Sequence, residues 1–361
     1  MKGIQKGLFI LICFVPVLSL SQSKLKNQNY FLSLRNYYGI IMPHHPEIQF
    51  VTDKRIHALE LNFGVKTNGN QIWQQMHNYP NIGLGYLYTD LGNPDILGKS
   101  HSLFGFINGN LFRKKRYSLR YNFELGASYL TKSFDIQTNH LNFVIGTPFN
   151  IHANLLIENR YDISNQIQVF SGIGLYHFSN GGTKQPNLGI NVANLSVGLK
   201  YFLNKETNEL KETELPEYNK KFNFFLLLNT GGKGNDPAGV KSYLSTSFHF
   251  NAGRQLGYKY RLGAGTDFIF RNIKEADFDG SLPADSLNLD RYYCGIHISN
   301  DIIFGKLYFT VQQGIYVYPQ NSLYNRFGFR YKIGKHFAVS TTLFTHVFNA
   351  KRIEVGLGCY F

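Results

Sequence analysis

The sequence predicts an all-β chain folded as an antiparallel transmembrane β-barrel, and three observations carry that expectation. Aromatic residues make up 16% of the chain, with 31 Phe and 24 Tyr beside 35 Gly, while charged residues are only 17%; strands favour aromatic side chains, and long solvated helices need more charge. Segment after segment alternates apolar and polar side chains at a period of two, the period of a strand. The connections alternate long and short, as in outer-membrane barrels with long outer loops and short inner turns. The pattern fits one barrel of about 14–16 strands, with two successive eight-stranded barrels as the alternative.

Taken in order, residues 1–21 read as a secretory signal: Lys2 and Lys6 precede an apolar run from Leu8 to Leu20, followed by a cleavage zone at Leu20, Ser21 and Gln22. Cys13 follows the bulky Ile10 and Ile12 and does not suit a lipoprotein cleavage site. No later run of 18 apolar residues exists, so a spanning helix is not expected. Residues 22–204 hold eight strand candidates, at 30–42, 55–66, 81–91, 100–112, 117–130, 149–160, 166–178 and 190–202. The polar connection 205–220 interrupts the pattern, and residues 221–361 hold eight more, at 222–230, 242–252, 258–271, 291–301, 306–318, 325–333, 336–348 and 352–361. With the N-terminus inside, the connections 43–54, 131–148, 181–189 and 272–290 point outward and are long. The inner ones at 113–116, 161–165, 304–305 and 334–335 are short, and 67–80 is an inner exception.

The last segment places Val355, Leu357, Cys359 and Phe361 on one row, opposite Glu354, Gly356, Gly358 and Tyr360. Outer-membrane barrels commonly end in such a strand with a terminal aromatic residue, and the likeness implies recognition by the barrel-assembly machinery. VGLKYF at 197–202 and VGLGCYF at 355–361 echo each other at the ends of the two halves. Beyond the signal only Cys294 and Cys359 remain, too few for a disulfide framework; one bridge or two unpaired residues are both open. A formal charge of +14 attracts phosphate groups, and export points to anionic lipid or lipopolysaccharide and away from nucleic acid.

Residues 166–202 carry the chemistry. Ile167, Val169, Ser171, Ile173, Leu175, His177 and Ser179 share one row, aliphatic until its last two polar members. After the loop 181–189, Asn191, Ala193, Leu195, Val197, Leu199 and Tyr201 share a row that begins with a polar residue. In a hairpin the trio His177, Ser179 and Asn191 therefore lies near one rim of the apolar, lipid-facing side. Ser179 as nucleophile, His177 as base and Asn191 as its orienting partner form an acyl-transfer set. A substrate approaching from that side is a lipid.

At these residues the chain resembles the lipid A 3-O-deacylase and acyloxyacyl hydrolase-like family of outer-membrane barrels. The resemblance lies in His177-Phe178-Ser179-Asn180-Gly181-Gly182, then Lys184-Gln185-Pro186-Asn187, Gly189-Ile190 and the strand Leu195 to Phe202. The longer form, with a second half, looks like members of the family from Bacteroidetes-type bacteria. The resemblance implies a protein of the Gram-negative outer membrane whose lipid-facing His and Ser cleave an ester-linked acyl chain of lipid A or lipopolysaccharide. It implies no cofactor and no metal. On that pattern the Asn180 side chain and the Gly182 N–H are the oxyanion donors. Asn191 stands where the deacylases carry a glutamate; it can orient an imidazole but cannot neutralise an imidazolium.

Other readings compete. A barrel of 16 strands leaves an aqueous lumen, so a channel or structural barrel is the rival function, although glycines at 172, 174, 198, 356 and 358 suggest an occupied interior. His346 and Glu354 form a second candidate pair on an inner row, and His44, His45 and Glu47 a weak metal candidate. Trp73 and Tyr79 fit an interfacial aromatic belt.

Overall fold

A computed structural model describes residues 29–52, 54–204, 210–212, 214–233, 243–272, 291–319, 322–347 and 349–361. The signal sequence lies outside the described residues, as do most of the 272–290 loop and part of the 205–220 connection. The first eight strands are β1 (Asn29–Ile41), β2 (Ile56–Lys66), β3 (Asn81–Asp90), β4 (Lys99–Lys114), β5 (Tyr117–Leu130), β6 (Phe149–Asp162), β7 (Ile167–Ser179) and β8 (Ile190–Phe202). The second eight are β9 (Phe222–Lys233), β10 (Tyr243–Gln255), β11 (Tyr260–Arg271), β12 (Tyr292–Phe304), β13 (Leu307–Tyr318), β14 (Leu323–Ile333), β15 (Phe337–His346) and β16 (Asn349–Tyr360).

These strands close as two antiparallel barrels of eight, so the single larger barrel is not formed. β8 returns to β1, with Leu199 opposite Leu34, and β16 returns to β9, with Leu357 opposite Leu228. Once β1 and β8 have paired, the first half keeps no open edge for β9 to extend. The two echoing segments, VGLKYF and VGLGCYF, lie in or run on from the strands that close each barrel.

Eight strands leave an interior that side chains fill. In the first barrel Arg35 bonds to Glu158 and lies 3.1 Å from Glu60, while Arg160 lies 3.2 Å from Glu158; all four are buried. In the second, buried Asp267 accepts from His297 at 2.7 Å, from Arg326 at 3.1 Å and from Gln312 at 2.9 Å. Glu354 lies 2.8 Å from Arg326 and 2.7 Å from Arg352. Charges taken out of water persist only when paired and hydrogen-bonded, which these networks achieve. The interior glycines belong to the same packing: a Cβ at Gly198 would come within 2.4 Å of the Phe170 ring, and one at Gly358 within 2.4 Å of the Phe225 ring. An open lumen is therefore not what either barrel contains.

Outside, the polarity is reversed. Ile173, Leu175, Leu195, Val197 and Leu199 are all exposed, Leu195 by 61%, as are Leu226, Leu228, Phe248, Leu262 and Ile298 of the second barrel. Soluble proteins do not expose such continuous apolar walls; hydrocarbon is their solvent, and closed strands satisfy the backbone within it. No helix among the described residues is long and apolar enough to cross a membrane. Both barrels thus have the walls of membrane-spanning sheets.

The long loops of the first barrel form a cap. Ile48 and Val51 of the β1–β2 connection, Leu91 and Leu97 of β3–β4, and Val144 and Ile145 of β5–β6 are buried in one cluster with Tyr176, Phe178, Ile190 and Val192. Asn142 ties two of these loops by donating to the Ile96 carbonyl at 2.9 Å, and Asn93 donates to the Val51 carbonyl at 3.1 Å. The inner connection 67–80 carries a short helix α1 (Ile72–Met76).

Candidate functional site

The site sits where β7 and β8 meet the cap. The two strands pair in antiparallel register with His177 directly opposite Asn191. Both occupy the outward row, two residues beyond the exposed Leu175 and the half-buried Ala193 respectively. The imidazole and the amide meet: His177 Nδ1 lies 2.6 Å from Asn191 Oδ1. Since that oxygen only accepts, Nδ1 carries the proton, and Nε2 is left with its lone pair, the form a general base requires. Ser179 follows two residues later on the same row, opposite Ile151 of β6, and is 6% exposed. Strand geometry sets its Cα roughly 7 Å from that of His177.

Beyond Ser179 the chain turns through Gly181 and Gly182, with φ of +66° and +81°, a region that L side chains rarely enter. Asn180 is buried, and its backbone N–H donates to Asn187 Oδ1 at 3.0 Å. Gly189, at φ +78°, ends the loop, and its N–H donates to the Val144 carbonyl at 3.0 Å. The imidazole lies against this glycine: a Cβ here would stand 2.8 Å from His177 Cε1 and 3.1 Å from the Phe178 carbonyl.

His44 was not among the trio, yet the structure places it there. Its Nε2 lies 2.9 Å from the Leu188 carbonyl and its Nδ1 3.0 Å from Asn191 Nδ2. Barrel closure brings it in, because β1 runs beside β8 and the Met42 N–H donates to the Asn191 carbonyl at 2.8 Å. In a single barrel of sixteen strands β1 would neighbour β16 instead, and that expectation hid His44. The signal was present in the alternative closure, which sets the residues just after β1 beside the first residues of β8.

The other candidates resolve differently. His45 packs its ring edge-on to His44, with centroids 5.0 Å apart, and the described residues hold no cluster of three or more metal-ligating side chains. His346 and Glu354 take separate partners, Tyr316 for the former at 3.0 Å and the two arginines for the latter. Inside the second barrel Ser247 lies 3.1 Å from His249, which pairs with Asp267. That set imitates an acyl-transfer triad, but all three are buried and the void beside them is about 30 Å³, room for a water or two and not for an acyl chain. Cys294 and Cys359 are both free thiols. Trp73 lies in α1, where its indole N–H donates to Gln71.

Closed barrels with apolar walls define a membrane-spanning β-barrel protein of the outer-membrane type. The family comparisons agree. Residues 57–200 match the family described as lipid A 3-O-deacylase (PagL), and residues 221–361 match the acyloxyacyl hydrolase C-terminal domain. The chain belongs to this family of lipid A deacylases and acyloxyacyl hydrolases, as a PagL domain followed by an acyloxyacyl hydrolase C-terminal domain. No curated protein matches it. Among solved structures, Neisserial surface protein A is similar at 9% identity and a TM-score of 0.33, over 48% of this chain and 96% of its own. Omp33 of Acinetobacter baumannii is similar at 8% identity and a TM-score of 0.17, over 92% of this chain and 98% of its own. Likenesses this distant carry no argument, and the barrel assignment rests on the strand pairing itself.

Proposed function

We propose that the outward rim of β7 and β8 is an esterase site that removes an ester-linked acyl chain from lipid A or a related glycolipid. One observation supports it above the others: the 2.6 Å contact between His177 Nδ1 and Asn191 Oδ1 on a lipid-facing row that also holds Ser179. Nothing in barrel packing asks for such a pair at the acyl boundary. The family membership supplies the lipid A substrate class.

Ser179 Oγ attacks the ester carbonyl as its proton passes to His177 Nε2, and a tetrahedral intermediate forms. The Asn180 side chain and the Gly182 N–H donate to the oxyanion. His177 returns the proton to the departing sugar hydroxyl, leaving an acyl-serine. Water then adds with His177 again as base, and the fatty acid leaves. Asn191 holds the imidazole in the reactive tautomer throughout. It leaves the transient imidazolium without a counter-charge, so replacing it with Glu should raise turnover.

The test is fatty acid release from purified lipopolysaccharide by the refolded protein in mixed micelles. The wild type releases free fatty acid, and Ser179→Ala releases none while keeping the heat-shifted gel migration of a folded barrel. Equal release by both proteins would remove Ser179 as nucleophile. A channel role finds no support in barrels whose interiors are filled.

A further inference from the structure

We infer that His44 is a positioning residue for the same site: it fixes which way the Asn191 amide points and thereby sets the tautomer of His177. The inference rests on the esterase reading for its kinetic test only.

The polarity of the arrangement follows from a single carbonyl. The Leu188 oxygen can only accept, so His44 Nε2, 2.9 Å away, carries a proton. In neutral His44 the other nitrogen, Nδ1, then has a lone pair and must accept. Its neighbour at 3.0 Å is therefore the Asn191 NH₂ group, acting as donor. The Asn191 oxygen is left facing His177 Nδ1, which must donate to it, and His177 Nε2 is left as the base. The opposite tautomer of His44 would satisfy only a 3.3 Å contact to the Met42 carbonyl while setting lone pair against lone pair at Leu188 and N–H against N–H at Asn191.

The anchor at the start of this chain is itself fixed. The peptide joining Leu188 to Gly189 accepts from His44 through its C=O and donates to Val144 through its N–H at 3.0 Å, so it is held from the β1–β2 and β5–β6 loops at once. A glutamate at position 191 would need no such arrangement, since both its oxygens accept and neither orientation is wrong. An asparagine has one right face and one wrong face. With the wrong face forward, Asn191 would donate to His177 Nδ1, shift the proton to Nε2 and disable the base. His44 is what an amide in this position requires.

The experiment combines activity and spectroscopy on the full chain in detergent micelles. His44→Ala should lower kcat for fatty acid release roughly tenfold or more with KM little changed, because the amide, no longer held, presents its wrong face most of the time. His44→Gln should retain most activity, because its amide can donate to Leu188 and accept from Asn191. In the Asn191→Glu background His44→Ala should cost less than about twofold, since no orientation remains to be set. Nitrogen-15 spectra of the His177 ring, identified by loss of its signals in His177→Gln, should show the Nδ1–H form in the wild type and a mixture of tautomers in His44→Ala. An equal loss in both backgrounds, or a His177 tautomer unchanged by His44→Ala, would overturn the inference. If the wild type releases no fatty acid while the tautomer still shifts in His44→Ala, the positioning role stands and the esterase reading falls.

Discussion

At the scale of single residues, the candidate site is a set of side chains whose donors and acceptors leave one arrangement open. His177 and Asn191 could be located from the sequence, because a period of two fixes which residues share a row and a hairpin sets the ends of adjacent rows together. What periodicity cannot show is what the outer loops do. Gly189 is an example: in the sequence it is one glycine among 35, and in the structure it leaves room for an imidazole where a Cβ would stand 2.8 Å from Cε1. Gly189→Ala should therefore displace His177 and abolish fatty acid release. It should also lower stability by about 1–2 kcal/mol for forcing an L residue to positive φ, read as a shift of the urea midpoint. Wild-type turnover by this variant would show that the ring is not held where the loop places it.

At the scale of strands, each one carries two opposite instructions, an apolar row for lipid and a polar row for the interior. The assignment of rows in β7 and β8 was legible because their outward sides are largely aliphatic and their inward sides, apart from Ile190 and Val192 under the cap, are glycine, polar or aromatic. The interior partnerships were not legible, since Arg35 and Glu158 are 123 residues apart and meet only after closure. Both instructions can be tested. Leu195→Arg, on the outward row, should destabilise the folded barrel by about 2–4 kcal/mol, the cost of a cationic side chain near the bilayer midplane, whereas Leu195→Met should be nearly neutral. Glu158→Gln removes the carboxylate that pairs with Arg35 and Arg160 and should cost about 3–5 kcal/mol, because it leaves buried cationic charge uncompensated. Urea unfolding of the two variants in the same lipid measures both; a destabilisation under about 1 kcal/mol in either would mean that its row does not face the surroundings assigned to it.

At the scale of the molecule, strand number was readable from turns and alternation, but closure was not, because closure depends on which edges meet and a strand's sequence does not name its partner. The echo of VGLKYF and VGLGCYF was the one hint that the chain closes twice. Two barrels of eight have filled interiors where one of sixteen has a lumen, so closure also weighs against a channel. In planar bilayers the protein should produce no steady conductance. The central question is whether lipid A loses an acyl chain to Ser179. Mass spectrometry of lipid A from Gram-negative cells expressing the wild type, Ser179→Ala or Asn191→Glu, each verified as folded in the outer membrane, measures this directly. The account predicts loss of one acyl mass with the wild type, greater loss with Asn191→Glu and none with Ser179→Ala. Lipid A of identical mass in all three would contradict it.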